Sequence, residues 1–213
     1  MGKIILFGSE KGGTGKSSLA TNAAAYLAIN GYDCVLVDAD KQKTSTTWAQ
    51  DREENNNAEV KVIPISLDGN IKAPLLDLKK RYEFVVVDCA GRDSRELRTG
   101  MTGADILISP LRPSQFDLDT LPHFLSLFEA AKDINPDLKG HLLINQAPTN
   151  PFIKEAQQAE SVIADYSEFN LIDSVLHDRK IYRDMASEGL SIFESSNEKA
   201  KSEFEKVLKT VIL

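Results

Sequence analysis

Short apolar runs recur along the chain, each closed by Gly, Asp, Asn or Pro, and stretches with helical spacing of apolar positions lie between them. The runs predict strands over Lys3–Gly8, Cys34–Asp38, Val60–Ile65, Phe84–Cys89, Ile106–Pro110, Gly140–Asn145 and Asn170–Ile172. The amphipathic stretches predict helices over Ser17–Asn30, Thr44–Arg52, Ile71–Arg81, Ser94–Thr102, Leu118–Ile134, Phe152–Tyr166, Ile181–Ser187 and Ser196–Val211. Several strands, such as Phe84-Val85-Val86-Val87, are apolar at every position rather than at every second one. That suits a sheet buried on both faces. Strand–helix alternation then gives an α/β fold: a three-layer, doubly wound, mostly parallel sheet flanked by helices. The polar stretch Asp51–Glu59 reads as a surface loop rather than a boundary, so one domain is expected over residues 1–213.

Composition narrows the class. With 213 residues, 42% hydrophobic, the chain can bury one good core. No apolar run is long enough for a transmembrane span and no leader pattern precedes the first strand, so a cytoplasmic protein is expected. The two cysteines, Cys34 and Cys89, sit in apolar runs without a CxxC partner and read as buried thiols. A net charge of −7 excludes a strongly basic nucleic-acid binder but permits a local basic patch.

The first strand leads into Glu10-Lys11-Gly12-Gly13-Thr14-Gly15-Lys16-Ser17-Ser18 and then a helix. A Gly-rich turn at a helix N-terminus aims backbone N–H groups and partial positive charge at one point, which makes a phosphate cradle. Lys16 can reach terminal phosphates and Ser17 can hold Mg²⁺. The run fits the general P-loop except at its first position, where Glu10 replaces Gly, and it carries a second lysine, Lys11. Asp38-Ala39-Asp40 follows the second strand, at the sheet edge where ligands of such folds bind. A carboxylate there can orient water towards a γ-phosphate; alone, the pattern reads better as an ordinary helix cap, but with a P-loop at the same sheet edge the functional reading is favoured. Val85-Val86-Val87-Asp88 ends a strand in the Walker B manner, with Asp88 placed for Mg²⁺ and Gly91 for close approach to phosphate. Asn145 ends a later strand and serves equally to read an adenine edge or to cap the next loop.

These residues together resemble the deviant Walker-A ATPases of the ParA/MinD superfamily. The marks are Lys11-Gly12-Gly13-Thr14-Gly15-Lys16-Ser17-Ser18, Asp38-Ala39-Asp40-Lys41-Gln42 and Asp88-Cys89-Ala90-Gly91. Ile108–Asp117 and Asp178–Gly189 are similar to later family segments. The short length and the lack of an N-terminal helix-turn-helix extension resemble the small plasmid-partition group of the ParF type. One departure stands out: Lys41 occupies the position of the family's usual proline.

The resemblance implies an ATPase, weak alone and stimulated by a partner, that forms a homodimer on ATP and Mg²⁺. Lys16 would bind the phosphates of its own subunit, and Lys11 would cross to the partner's nucleotide. Gly12, Gly13, Thr14, Gly15, Ser18 and Asn145 would complete the nucleotide site. Ser17, Asp38 and Asp88 would serve the metal, and Asp40 would position water. It also implies nonspecific DNA, with Arg179, Lys180 and Arg183 as candidate contacts, and a small DNA-binding adaptor of the ParB or ParG kind. Lys199, Lys201, Lys206 and Lys209 are further candidates, but their mixture with Glu198, Glu203 and Glu205 reads equally as a solvated face. Plasmid, chromosome, protein cluster and conjugation machinery would all be served by similar residues. The alternatives are a MinD-like membrane-associated regulator, for which the final helix is short and only mildly basic, and an iron–sulfur reductase, which would need cysteines that meet across the dimer axis.

Overall fold

A computed structural model describes residues 2–150 and 152–213. In chain order the elements are β1 (Lys3–Ser9), α1 (Lys16–Ile29), β2 (Cys34–Ala39), α2 (Thr44–Glu54), β3 (Ile63–Ser66), α3 (Lys72–Leu78), β4 (Phe84–Gly91), α4 (Arg95–Met101), β5 (Ile106–Leu111), α5 (Gln115–Leu118), α6 (Leu121–Lys132), β6 (Lys139–Ile144), α7 (Glu155–Ile163), β7 (Asn170–Leu171), α8 (Lys180–Ala186), a 3₁₀ turn at Ile192–Glu194, and α9 (Glu198–Val211). The seven strands form one sheet in the order β3-β2-β4-β1-β5-β6-β7, and every neighbouring pair is parallel.

The continuously apolar strands feed two cores. Side chains alternate across a strand, so Ile4, Leu6, Val85 and Val87 pack on one face. Ile5, Phe7, Leu36 and Val86 pack on the other. The first face is covered by α3, α4, α6 and α7 through residues such as Leu75, Leu97, Phe128 and Ile163. The second is covered by α1, α2, α8 and α9 through Leu19, Trp48, Ile181 and Phe204. The fold class is therefore the expected one. Helix α1 is buried on nearly every side, from Leu19 to Leu27, which suits its run of alanines.

Four elements depart from the sequence pattern by three residues at one end or both. The third strand starts at Ile63, not Val60, because the Val60 carbonyl accepts a hydrogen bond from Arg52 Nε at 2.8 Å. The predicted helix Leu118–Ile134 starts three residues later, as α6; Leu118 instead ends the separate short helix α5, and the turn between them includes Thr120, whose hydroxyl donates to the Asp117 carbonyl. The predicted Ile71–Arg81 shortens to α3. The helix expected from Phe152 starts at Glu155, and the Phe152 N–H is taken by the Asn150 side chain at 3.0 Å.

Candidate functional site

The P-loop spans the turn from β1 to α1 at the carboxyl edge of the sheet. Gly15 sits before the first helical residue with φ 92°, a left-handed conformation that a side chain disfavours. Gly12 and Gly13 face open space. Gly91, at the end of β4, lies so close to the loop that a Cβ there would collide with the Lys11 carbonyl and with Lys16 Nζ. The strands β1 and β4 pair in parallel from Lys3–Phe84 to Phe7–Asp88, and a one-residue shift after Phe7 sets Ser9 opposite Gly91, which brings these residues together.

Lys16 is 6% exposed, and its ammonium donates to the Lys11 carbonyl at 2.8 Å and to Ser9 Oγ at 3.2 Å. Burial pulls its pKa below the ordinary lysine value, and the carboxylates of Asp88 and Asp40 oppose that pull. Thr14 is buried against Ser9, hydroxyl to hydroxyl at 3.0 Å, and so braces the loop. Lys11 is half-buried and forms no ion pair among the described residues.

Asp38 and Asp88 are opposite one another on β2 and β4, and both are fully buried. Asp38 is saturated: Oδ2 accepts from the Thr46 N–H and hydroxyl, each at 2.9 Å, and Oδ1 accepts from the Asp40 N–H at 3.1 Å. It thereby holds the first turn of α2. Asp88 is different. Its Oδ2 accepts from the Ser45 hydroxyl, while Oδ1 is buried with no hydrogen-bond partner. Burial pushes its pKa up to about 7, against the nearby Ser45 and Ser17 hydroxyls. An ionisable oxygen left unpartnered in such a place is costly unless something comes to it. Asp40 is half-buried, and its Oδ1 accepts from the Gln42 N–H at 3.0 Å.

A cavity of about 190 Å³ adjoins the loop on its other side, lined among others by Gly15, Ser18, Asn145, Gln146, Arg179 and Tyr182. Asn145 does brace a loop, but the P-loop rather than the one that follows it: its Nδ2 donates to the Thr14 carbonyl at 2.7 Å. Gln146 adopts φ 55°, a conformation uncommon for a residue with a side chain. The Tyr182 hydroxyl is buried without a partner. A larger open hollow of 690 Å³, beside Lys3, Lys79 and Phe84, lies at the opposite edge of the sheet, away from the loop.

The three candidate DNA contacts each have an acidic partner. Arg179 pairs with Glu203 at 2.5 Å, Lys180 with Asp184 at 2.5 Å, and Arg183 with Asp178 at 2.6 Å. In the last helix Lys201, Lys206 and Lys209 are likewise paired. Sequence reasoning missed Ser45 and Thr46, the hydroxyls that hold the two aspartates; two hydroxyl residues a few positions after Asp38-Ala39-Asp40 were the available signal.

Residues 5–209 match the CobQ/CobB/MinD/ParA nucleotide binding domain. The maintenance of carboxysome distribution protein A of Halothiobacillus neapolitanus is 31% identical over 208 residues, covering 95% of this chain and 93% of that protein. An ATP complex of Cyanothece McdA superposes with a TM-score of 0.80 at 14% identity, covering 98% of this chain and 95% of that one. The septum site-determining protein MinD of Pyrococcus horikoshii, complexed with Mg-ADP, superposes with a TM-score of 0.73 at 17% identity, covering 99% and 96%. With its phosphate cradle, its paired strand-end aspartates and this match across nearly its whole length, the chain belongs to the CobQ/CobB/MinD/ParA nucleotide-binding family.

Proposed function

We propose that this chain is an ATP-switched positioning ATPase. It dimerises on Mg²⁺-ATP, associates with nonspecific DNA, and turns over weakly until an adaptor on its cargo stimulates it. The observation that carries the reading is the meeting of Lys11 and Lys16 on one loop with Asp40 and Asp88 at neighbouring strand ends. The nucleotide complexes of the related folds support ATP and Mg²⁺ as the ligands. The Halothiobacillus relative is named for carboxysome distribution, which favours a large assembly as cargo.

The donor set fits the cation. Mg²⁺ takes few protein oxygens and fills its remaining positions with water and phosphate. Asp88 offers a buried free oxygen, and Ser17, in the first turn of α1, lies beside it. When bound, the ion would offset charge on the phosphate oxygens. Lys16 and the loop N–H groups would hold the β- and γ-phosphates, and Ser18 the α-phosphate. Asp38 acts by fixing the turn that presents Ser45 to Asp88. Asp40 would orient the attacking water. The cavity beside Asn145 would receive the base. Lys11 would neutralise the nucleotide of a second subunit, so dimerisation follows nucleotide by mass action.

Fluorescent-nucleotide titration with light scattering tests this. Asp40→Ala should bind ATP, fail to turn over and persist as a dimer, whereas Lys11→Ala should bind nucleotide as a monomer. A monomeric, fully active Asp40→Ala protein would sink the assignment. The membrane alternative finds less support, because Phe204, Val207, Leu208 and Ile212 of the C-terminal region are buried against the sheet. Both cysteines are buried too, at odds with a cluster shared between subunits.

A further inference from the structure

The loop from β4 to α4 holds Arg92, a charged residue without a partner among the described residues. Gly91 is packed onto the P-loop beside Lys16. Two residues on, Asp93 is held by Arg98 in a two-pronged pair, Nε to Oδ1 at 2.5 Å and Nη2 to Oδ2 at 2.6 Å. Ser94 then caps α4 by accepting from the Leu97 N–H at 3.1 Å. The backbone is therefore fixed on both sides of Arg92. Arg92 itself is exposed, and no carboxylate, carbonyl or aromatic ring of the described residues engages it. Most arginines of this chain are paired: Arg52, Arg81, Arg98, Arg112, Arg179 and Arg183 each hold a carboxylate.

A guanidinium is planar, permanently charged and shaped for phosphate oxygens. Keeping one unpaired, one residue from a backbone that touches the phosphate lysine, on a loop clamped at both ends, is how a site prepares a charge for a ligand before the ligand arrives. We infer that Arg92 is a catalytic residue which contacts the γ-phosphate of bound ATP and stabilises the charge that builds there during transfer to water. This rests on the assignment of the P-loop to ATP. Arg92 then makes a second cation, besides Lys11, that distinguishes ATP from ADP. Asp93 and Arg98 are its positioning pair: Asp93 ties Arg98 back onto the loop and so keeps that second guanidinium from competing for the phosphate.

The test compares wild type, Arg92→Ala, Arg92→Lys and Arg95→Ala by titration with ADP and with a slowly hydrolysed ATP analogue, followed by turnover. Arg95 is a second exposed, unpaired arginine, at the start of α4, and controls for a simple change in net charge. Arg92→Ala should keep ADP affinity within about twofold, which also certifies its fold, and lose about tenfold to a hundredfold in affinity for the analogue. Its turnover should fall by about a thousandfold, the scale of a phosphate-directed arginine. Arg92→Lys should recover affinity for the analogue more than turnover, and Arg95→Ala should match wild type. Equal analogue affinity and turnover in Arg92→Ala and wild type would overturn the inference. So would loss of DNA retention with nucleotide affinities unchanged, since that would make Arg92 a DNA contact. A wild type that binds neither nucleotide would instead overturn the P-loop assignment itself, so the two failures are distinguishable.

Discussion

Two buried charge clusters lie within this one fold, and they are finished to different degrees. Around Arg52 every polar group has a partner. Its guanidinium grips Glu194 through two bonds of 2.8 Å and also donates to the carbonyls of Val60 and Gly189. Glu194 in turn accepts from the N–H groups of Glu59 and Ser191 and from the Ser191 hydroxyl. Burial alone would push its pKa up, but Arg52 and those N–H groups hold it below the ordinary glutamate value. At the P-loop the opposite holds: Asp88 is pushed up to about 7 and one of its oxygens has no partner. The lesson is that saturation marks a joint and unsaturation marks a site. The first cluster ties α2 to the segment before α9; the second is the one proposed to take phosphate and cation.

That contrast breaks if the two clusters respond alike to mutation. The largest effect is expected at the joint. Arg52→Ala leaves Glu194 buried and uncompensated, and should cost about 3–5 kcal/mol of stability in denaturant unfolding while nucleotide affinity of the folded fraction is kept. Lys16→Ala should do the reverse. It should lower nucleotide affinity by about a hundredfold or more and move the denaturation midpoint little, because a desolvated cation goes with it.

Asp88→Asn sharpens the comparison through pH. In the unfolded chain the carboxyl ionises near 3.8 and in the folded chain near 7. Between those values the native state alone keeps the proton, so stability falls as pH rises across that window. Asparagine cannot ionise. The nucleotide-free Asp88→Asn protein should therefore gain over wild type, and thermal melts should show the gain widening by ~2 kcal/mol from pH 5 to pH 8. A gain that is flat with pH would mean that Asp88 is not the titrating group. The smallest effect is expected at Lys41. It occupies the second position of a turn closed by the Lys43 N–H on the Asp40 carbonyl at 3.1 Å, where proline is favoured. Its own N–H makes no hydrogen bond among the described residues, so Lys41→Pro should stabilise by about 0.4–1 kcal/mol in the same melts.

The sheet was largely legible in the sequence because β1, β2, β4, β5 and β6 each carry a run of consecutive apolar residues, such as Ile4–Phe7 and Phe84–Val87, bounded by polar or turn residues, which suits a strand covered on both faces. The third strand was misplaced at its start because Val60 is apolar yet serves Arg52 with its carbonyl, a long-range bond that no local pattern records. The break before α6 was hidden for a similar reason. Asp117 folds back onto Arg112, accepting from its backbone N–H at 3.0 Å and from its guanidinium at 2.9 Å. The glycines and lysines of the site were legible because phosphate binding dictates their spacing. Ser45 and Thr46 were not, since a hydroxyl near a helix start looks the same whether it faces water or an aspartate. Arg92 was silent in the sequence, because being unpaired is a property of its surroundings.

The strand order has a consequence for the chain during its synthesis. β1 is made first, yet its partners are β4, which starts at Phe84, and β5, which starts at Ile106. At ribosomal speeds of about 5–20 residues per second, the segment Ile4-Ile5-Leu6-Phe7 emerges on the order of ten seconds before the strand that shields it. For that interval the most water-averse stretch of the protein is an unpaired edge, open to chaperones and to other nascent chains. The phosphate loop that follows β1 has no shape until β4 docks, so a truncated product ending before Phe84 should not hold nucleotide.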